Sequence, residues 1–187
     1  MQTWRIVAVL GLAATVWLGA ACNNQPQIDN PMVGQTKYLC CTLHYEKEKV
    51  SDNWFQVGIP VKIGTPVHII EVRKKSVTFQ PEGHPVITLE YEYGEKVHQP
   101  FEQYLDRIFV GRNPVHKFGR KHDRLEQSVL EGRVVKGMSK EQVAMALGYP
   151  PAHKTLSLEQ DSWTYWESSR HDYVVWFVKG RVDRVQQ

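Results

Sequence analysis

Between residues 35 and 93, apolar side chains recur at period two in short runs, the spacing of half-buried strands. Lys37–Tyr45 (KYLCCTLHY) is the first run, followed by Trp54–Val57, Val67–Val72, Ser76–Phe79 and Val86–Tyr93. In the last of these, Ile87, Leu89, Tyr91 and Tyr93 fall on one side. Gly58, Gly64-Thr65-Pro66, Lys74-Lys75 and Pro81-Glu82-Gly83 separate the runs as turns. Five short strands in so little chain predict a small antiparallel β-barrel or meander. Pro100, Phe101, Leu105 and Ile108 then predict a closing helix of about ten residues.

Asn113-Pro114 disfavours helix before it and marks a joint. Beyond it the period changes. After a solvated basic stretch, HKFGRKHDR, the residues Leu125, Val129 and Leu130 form one face of a short helix that stops at Gly132. Residues 137–150, GMSKEQVAMALGYP, then predict a helix marked at both ends. Ser139 and Gln142 fit a capping box, and Met138 and Val143 a hydrophobic staple. Val143 and Leu147 share a buried face, Gly148 takes the left-handed conformation that ends a helix, and Pro150-Pro151 forbid continuation. Strands follow at Ser162–Glu167, Tyr173–Val178 and Arg181–Val185. The fold class is therefore α+β. A β-rich domain over 35–112 precedes a second domain over 115–187, in which two helices lie on a three-stranded antiparallel sheet.

The amino-terminus follows neither pattern. Arg5 precedes an apolar run from Ile6 to Ala21 that is shorter than the roughly 20 residues of a membrane-spanning helix. It ends in Gly19-Ala20-Ala21, so residues 1–21 are expected to be a secretory signal. Leu18-Gly19-Ala20-Ala21-Cys22 resembles the lipobox of bacterial lipoproteins, with the leucine one place early. The resemblance implies that Cys22 becomes the first mature residue and carries acyl chains. Each buried methylene contributes about 0.8 kcal/mol, so several chains on one cysteine anchor firmly to a membrane. Residues 22–34 would be an extended polar tether. Asn23 resembles the outer-membrane sorting pattern, which places the chain at the periplasmic face of that membrane.

The carboxy-terminal pattern resembles a family. GMSKEQVAMALGYP, then Trp163-x-Tyr165, then Val175-x-Phe177-x-x-Gly180-x-Val182, is similar to the SmpA/OmlA domain, the BamE-like fold. The likeness covers about residues 121–187, with Ser139 where threonine is commoner, and leaves 35–112 unaccounted for. The family's best-known member is a lipoprotein accessory of the machine that inserts β-barrels into the outer membrane. The resemblance therefore implies partners among envelope proteins, including that barrel-assembly machinery. It also implies that Trp163, Tyr165, Val175 and Phe177 lie under the helices. Alternation then sends Trp166, Val174 and Trp176 to the opposite side. That side is either a partner-binding surface or a seat for residues 35–112.

Composition narrows the chemistry. With 42% hydrophobic and 23% charged residues the chain is globular rather than disordered. A formal net charge of +3 without a Lys/Arg run gives no basis for nucleic-acid binding. Cys40-Cys41 raises redox chemistry. Adjacent Cα atoms lie about 3.8 Å apart, below the usual disulfide span of about 4.4–6.8 Å. On a strand the two sulfurs also point apart, so one buried inert thiol and one on the opposite face are expected. Cys41-x-x-His44 offers two zinc ligands without a second pair. His116, His122 and Asp123 lie in the basic stretch, where solvated side chains are the default. No catalytic string is present, and no metal or cofactor is implied. The expected function is a non-enzymatic envelope scaffold or accessory. The alternative is an envelope enzyme or enzyme inhibitor with its site in the β-rich domain.

Overall fold

The structure is a computed structural model and describes residues 27–52, 58–92, 100–119, 122–168 and 171–186. Cys22 and the signal segment, Trp54–Val57 and Tyr93 lie outside the described residues.

In the first half the strands are β1 (Thr36–Leu39), β2 (Leu43–Tyr45), β3 (Lys49–Ser51), β4 (Ile59–Val61), β5 (Pro66–Arg73), β6 (Ser76–Pro81) and β7 (Ile87–Glu90). Helix α1 (Phe101–Ile108) and strand β8 (Phe109–Val110) close it. Six of these strands form one curled sheet in the order β3-β7-β6-β5-β1-β8. β5, β6 and β7 are the expected meander. Ile87, Leu89 and Tyr91 are buried at period two, and so are Leu39, Cys41, Leu43 and Tyr45. α1 buries Phe101, Tyr104, Leu105 and Ile108 on this sheet, with Tyr91 stacked on Phe101 at 5.3 Å.

Three expectations are corrected here. The sheet is not wholly antiparallel, because β3 pairs with β7 in parallel register, Val50 opposite Leu89. Lys37–Tyr45 is not one strand. It breaks at Cys40-Cys41, where the backbone finds partners outside any ladder: Cys40 N–H donates to Ile108 O at 2.9 Å and Thr42 N–H to Met145 O at 3.1 Å. β2 consequently leaves the main sheet and pairs with β4. Nor is the tether extended over its whole length. Gln27 bridges Arg73, Ile28 N–H donates to Val72 O at 3.0 Å, Gly34 N–H donates to Ile69 O at 2.8 Å, and Met32 is buried in the first core.

The second half comprises α2 (Arg124–Leu130), α3 (Lys140–Leu147), β9 (Ser162–Ser168), β10 (His171–Val178) and β11 (Arg181–Gln186). The expected capping box closes α3: Gln142 N–H donates to Ser139 Oγ at 3.2 Å, and Ser139 N–H donates to Gln142 Oε1 at 2.9 Å. A second box opens α2, formed by Asp123 and Glu126. Gly148 ends α3 at φ 82°, but its ψ of −178° leads the chain away extended rather than left-handed helical. The sheet order is β11-β10-β9, antiparallel throughout. Lys179 and Gly180 turn β10 into β11 with φ of 50° and 72°, the positive pair that a type I′ hairpin needs.

The helices cover one face of this sheet. Trp163, Tyr165, Val175, Phe177 and Val182 are buried with Val129, Met138, Val143 and Leu147. Tyr165 Oη donates to Gly148 O at 2.9 Å, which ties the strand to the end of α3. Ala144, Met145 and Ala146 are buried as well, so α3 is enclosed on nearly every side. Ile63, from the loop after β4, is part of this second core, and Tyr149 packs against both cores. The joint at Asn113 is stapled too: its Nδ2 donates to Gly64 O at 3.2 Å while its Oδ1 accepts from Val115 N–H at 3.0 Å. Replacing Ser139 by alanine removes the acceptor for Gln142 N–H and is expected to cost about 1 kcal/mol, with threonine near neutral. Urea unfolding of the two variants checks this, and equal losses would show that the hydroxyl is not what matters.

Candidate functional site

Alternation along β9 and β10 places Ser162, Thr164 and Trp166 with Asp172, Val174, Trp176 and Val178 on the face turned from the helices. Cross-strand register fixes their arrangement: Asp172 opposes Trp166, Val174 opposes Thr164 and Trp176 opposes Ser162. On the far side of β10, Trp176 opposes Arg184 and Val174 opposes Gln186. The two tryptophans therefore stand at opposite ends of the face, with Val174 between them.

Their surroundings differ. Trp166 is half-buried, with the His153 ring edge-on at 5.5 Å and Lys154 Nζ 4.8 Å above its own ring. Lys154 is held there by Asp172, whose two carboxylate oxygens it meets at 3.1 and 3.2 Å. Burial above all, and then the Lys154 charge, lower the pKa of His153, which favours the neutral ring against Trp166. Thr155 Oγ1 accepts from Thr164 N–H at 2.9 Å and fastens the same loop to the edge of β9. Trp176, by contrast, is 36% exposed and carries the Arg184 guanidinium at 4.8 Å over its ring. Val174 is half-buried and Val178 is 59% exposed.

The structure thus places Trp166, Val174 and Trp176 on one face, as alternation implies, but accessibility concentrates at the Trp176 end. Val178 is the residue that sequence reasoning missed. It continues the period of 174 and 176 by one step, and that signal was available. Lys179 and Arg184 border this end, both exposed. The surface is apolar at its centre and basic at its margin.

Two concavities lie elsewhere. A cleft of about 640 Å³ is lined by Tyr38, Val110, Asn113 and Pro114 among others, and its ionisable side chains include Arg112, His116 and Lys117 but no carboxylate. A smaller cavity of about 180 Å³ sits beside it, with Cys40, Cys41, Arg107 and Tyr149 in its walls. Among the described residues, no three His, Cys, Asp or Glu side chains come together as a metal site. No family model, curated protein or solved structure matches the chain.

Proposed function

We propose that the chain is a non-enzymatic lipoprotein of the bacterial envelope. Acyl chains on Cys22 hold it at the periplasmic face of the outer membrane, and the open face of its carboxy-terminal sheet holds another envelope protein. One observation carries the reading: Trp176 and Val178 are solvent-exposed, side by side in sequence period, on a sheet whose other face buries Trp163, Tyr165, Val175, Phe177 and Val182 in the second core. Tryptophan is enriched among the residues that anchor protein interfaces, and exposed apolar patches mark such sites. The basic margin of Lys179 and Arg184 fits a partner that surrounds an apolar centre with carboxylates. The capped α3 helix on its three-stranded sheet supports the likeness to the SmpA/OmlA domain. Components of the barrel-assembly machinery are accordingly the first candidates.

The test is crosslinked recovery of partners from intact envelopes. Trp176→Ala/Val178→Ser is expected to lower recovery about 30-fold, the equivalent of about 2 kcal/mol. Ile59→Ser, at a comparably exposed position on β4 in the first half, is the control and leaves recovery unchanged. Equal recovery from wild type and the double variant would remove the docking assignment. Cys22→Ser should move the chain from the membrane pellet to the soluble fraction, and retention in the pellet would remove the anchor.

A further inference from the structure

The adjacent cysteines sit at the bend between β1 and β2, in a segment fixed at both ends by the hydrogen bonds to Ile108 and Met145. A strand would send consecutive side chains to opposite faces. The bend does not, and both cysteines reach the same cavity of about 180 Å³. Arg107 from α1, Lys117 from the turn after Asn113 and Glu141 from α3 contribute to its walls, so it opens at the seam between the two halves. Of the two, Cys40 is half-buried and the more accessible, whereas Cys41 is 1% exposed. Burial first, and the neighbouring Cys40 side chain second, push the Cys41 pKa well up, so this thiol keeps its proton.

We propose that Cys40 and Cys41 form a redox-active vicinal pair, a site of thiol–disulfide exchange with small anionic disulfides, in which Cys40 attacks and Cys41 resolves. Partial exposure beside positive charge is the setting of reactive cysteines. Lys117 is paired with Glu141 at 3.5 Å, so Arg107 is the charge in this wall that the carboxylates of an incoming peptide disulfide, and the thiolate it expels, would meet.

In the first step the Cys40 thiol releases its proton to solvent and its sulfur attacks one sulfur of the disulfide. A mixed disulfide forms, the original S–S bond breaks, and one thiolate leaves. In the second step Cys41 gives up its proton to that thiolate and attacks the Cys40 sulfur, expelling the second thiolate, which takes a proton from solvent. One external disulfide is reduced to two thiols, and two protein thiols are oxidised to one vicinal disulfide. Because adjacent Cα atoms lie closer than a relaxed disulfide spans, the ring is strained and readily reduced. It is thus a reversible mark and not a structural staple. Ring closure also alters the backbone between the bonds to Ile108 and Met145, which carry the contact of β1–β2 with α1 and α3.

The test uses the full chain with Cys22→Ser, which leaves two thiols. The reduced protein is incubated with oxidised glutathione under native conditions, quenched in acid, alkylated and weighed intact. The wild-type pair is expected to lose two hydrogens, recovered on treatment with dithiothreitol, and digestion should place the change on the peptide that carries residues 40 and 41. Cys41→Ser and Cys41→Ala should stop at one glutathione on Cys40, and Cys40→Ser should acquire none. The two-hydrogen loss in the wild-type pair decides the matter even if both Cys41 variants fail to fold. An unmodified wild-type pair, a persistent glutathione adduct on it, a disulfide-linked dimer or glutathione on Cys41 in the Cys40→Ser chain would each overturn the proposal.

Discussion

Replacing Trp163 by alanine is expected to destabilise the folded chain by about 4 kcal/mol, in the range seen for large aromatic side chains removed from cores. The residue is 2% exposed and lies edge-on to Phe177 at 5.1 Å. Its indole N–H donates to Leu158 O at 3.1 Å, a carbonyl that also accepts from Lys140 Nζ at 3.0 Å, so truncation removes one of that carbonyl's two bonds as well. Domains of this size are stable by about 5–15 kcal/mol in total, so the loss is a large share. The two halves should fall together, because Ile63 from the first is buried in the core of the second and Tyr149 belongs to both. Urea unfolding followed by far-ultraviolet circular dichroism measures both effects. A loss under about 1 kcal/mol would contradict the burial. A separate transition for the β-rich half would contradict the shared core.

Gly64→Ala should cost about 3 kcal/mol, from two sources acting together. The residue adopts φ +77°, where a side chain is strained by about 1–2 kcal/mol. A Cβ would also lie 2.6 Å from Asn113 Oδ1 and 2.8 Å from Val115 Cγ2. Asn113 cannot give way freely, since its amide is bonded to both Gly64 O and Val115 N–H. Gly83 supplies the comparison: its φ is +76° but nothing lies within 4 Å of a Cβ there. Gly83→Ala should therefore show only the backbone share, about 1–2 kcal/mol. If the two substitutions cost the same, the packed joint at Asn113 is not what restricts Gly64.

Local signals in the sequence located most elements and failed where distant parts of the chain decide. The α3 helix was legible because its cap, its stop and its apolar spacing are all written within a dozen residues. The strands of the second sheet were legible by alternation. The break at Cys40-Cys41 was not, because period two continues through it, with Leu39, Cys41, Leu43 and Tyr45 all buried. What bends the chain is the placement of the Ile108 and Met145 carbonyls, both far away in sequence. β3 has three residues and a single apolar one, Val50, so no periodicity could announce its parallel partner. Met32 sits in a segment whose polar composition implies a free tether, and one buried methionine leaves little trace there. Of the candidate surface, Trp166, Val174 and Trp176 followed from alternation. The unequal accessibility of the two tryptophans did not, since it depends on where the loop carrying His153 and Lys154 folds back.

The position of β1 in its sheet has a consequence for synthesis. It lies between β5 and β8, with Leu39 opposite Phe109. A chain leaving the ribosome cannot complete this sheet until residue 110 has emerged, and it cannot bury Ile63 until α3 and the last hairpin follow. Contacts so far apart in sequence form slowly. The nascent polypeptide thus cannot close the core shared by its two halves until nearly its last residue, although the first sheet is complete in sequence by residue 110.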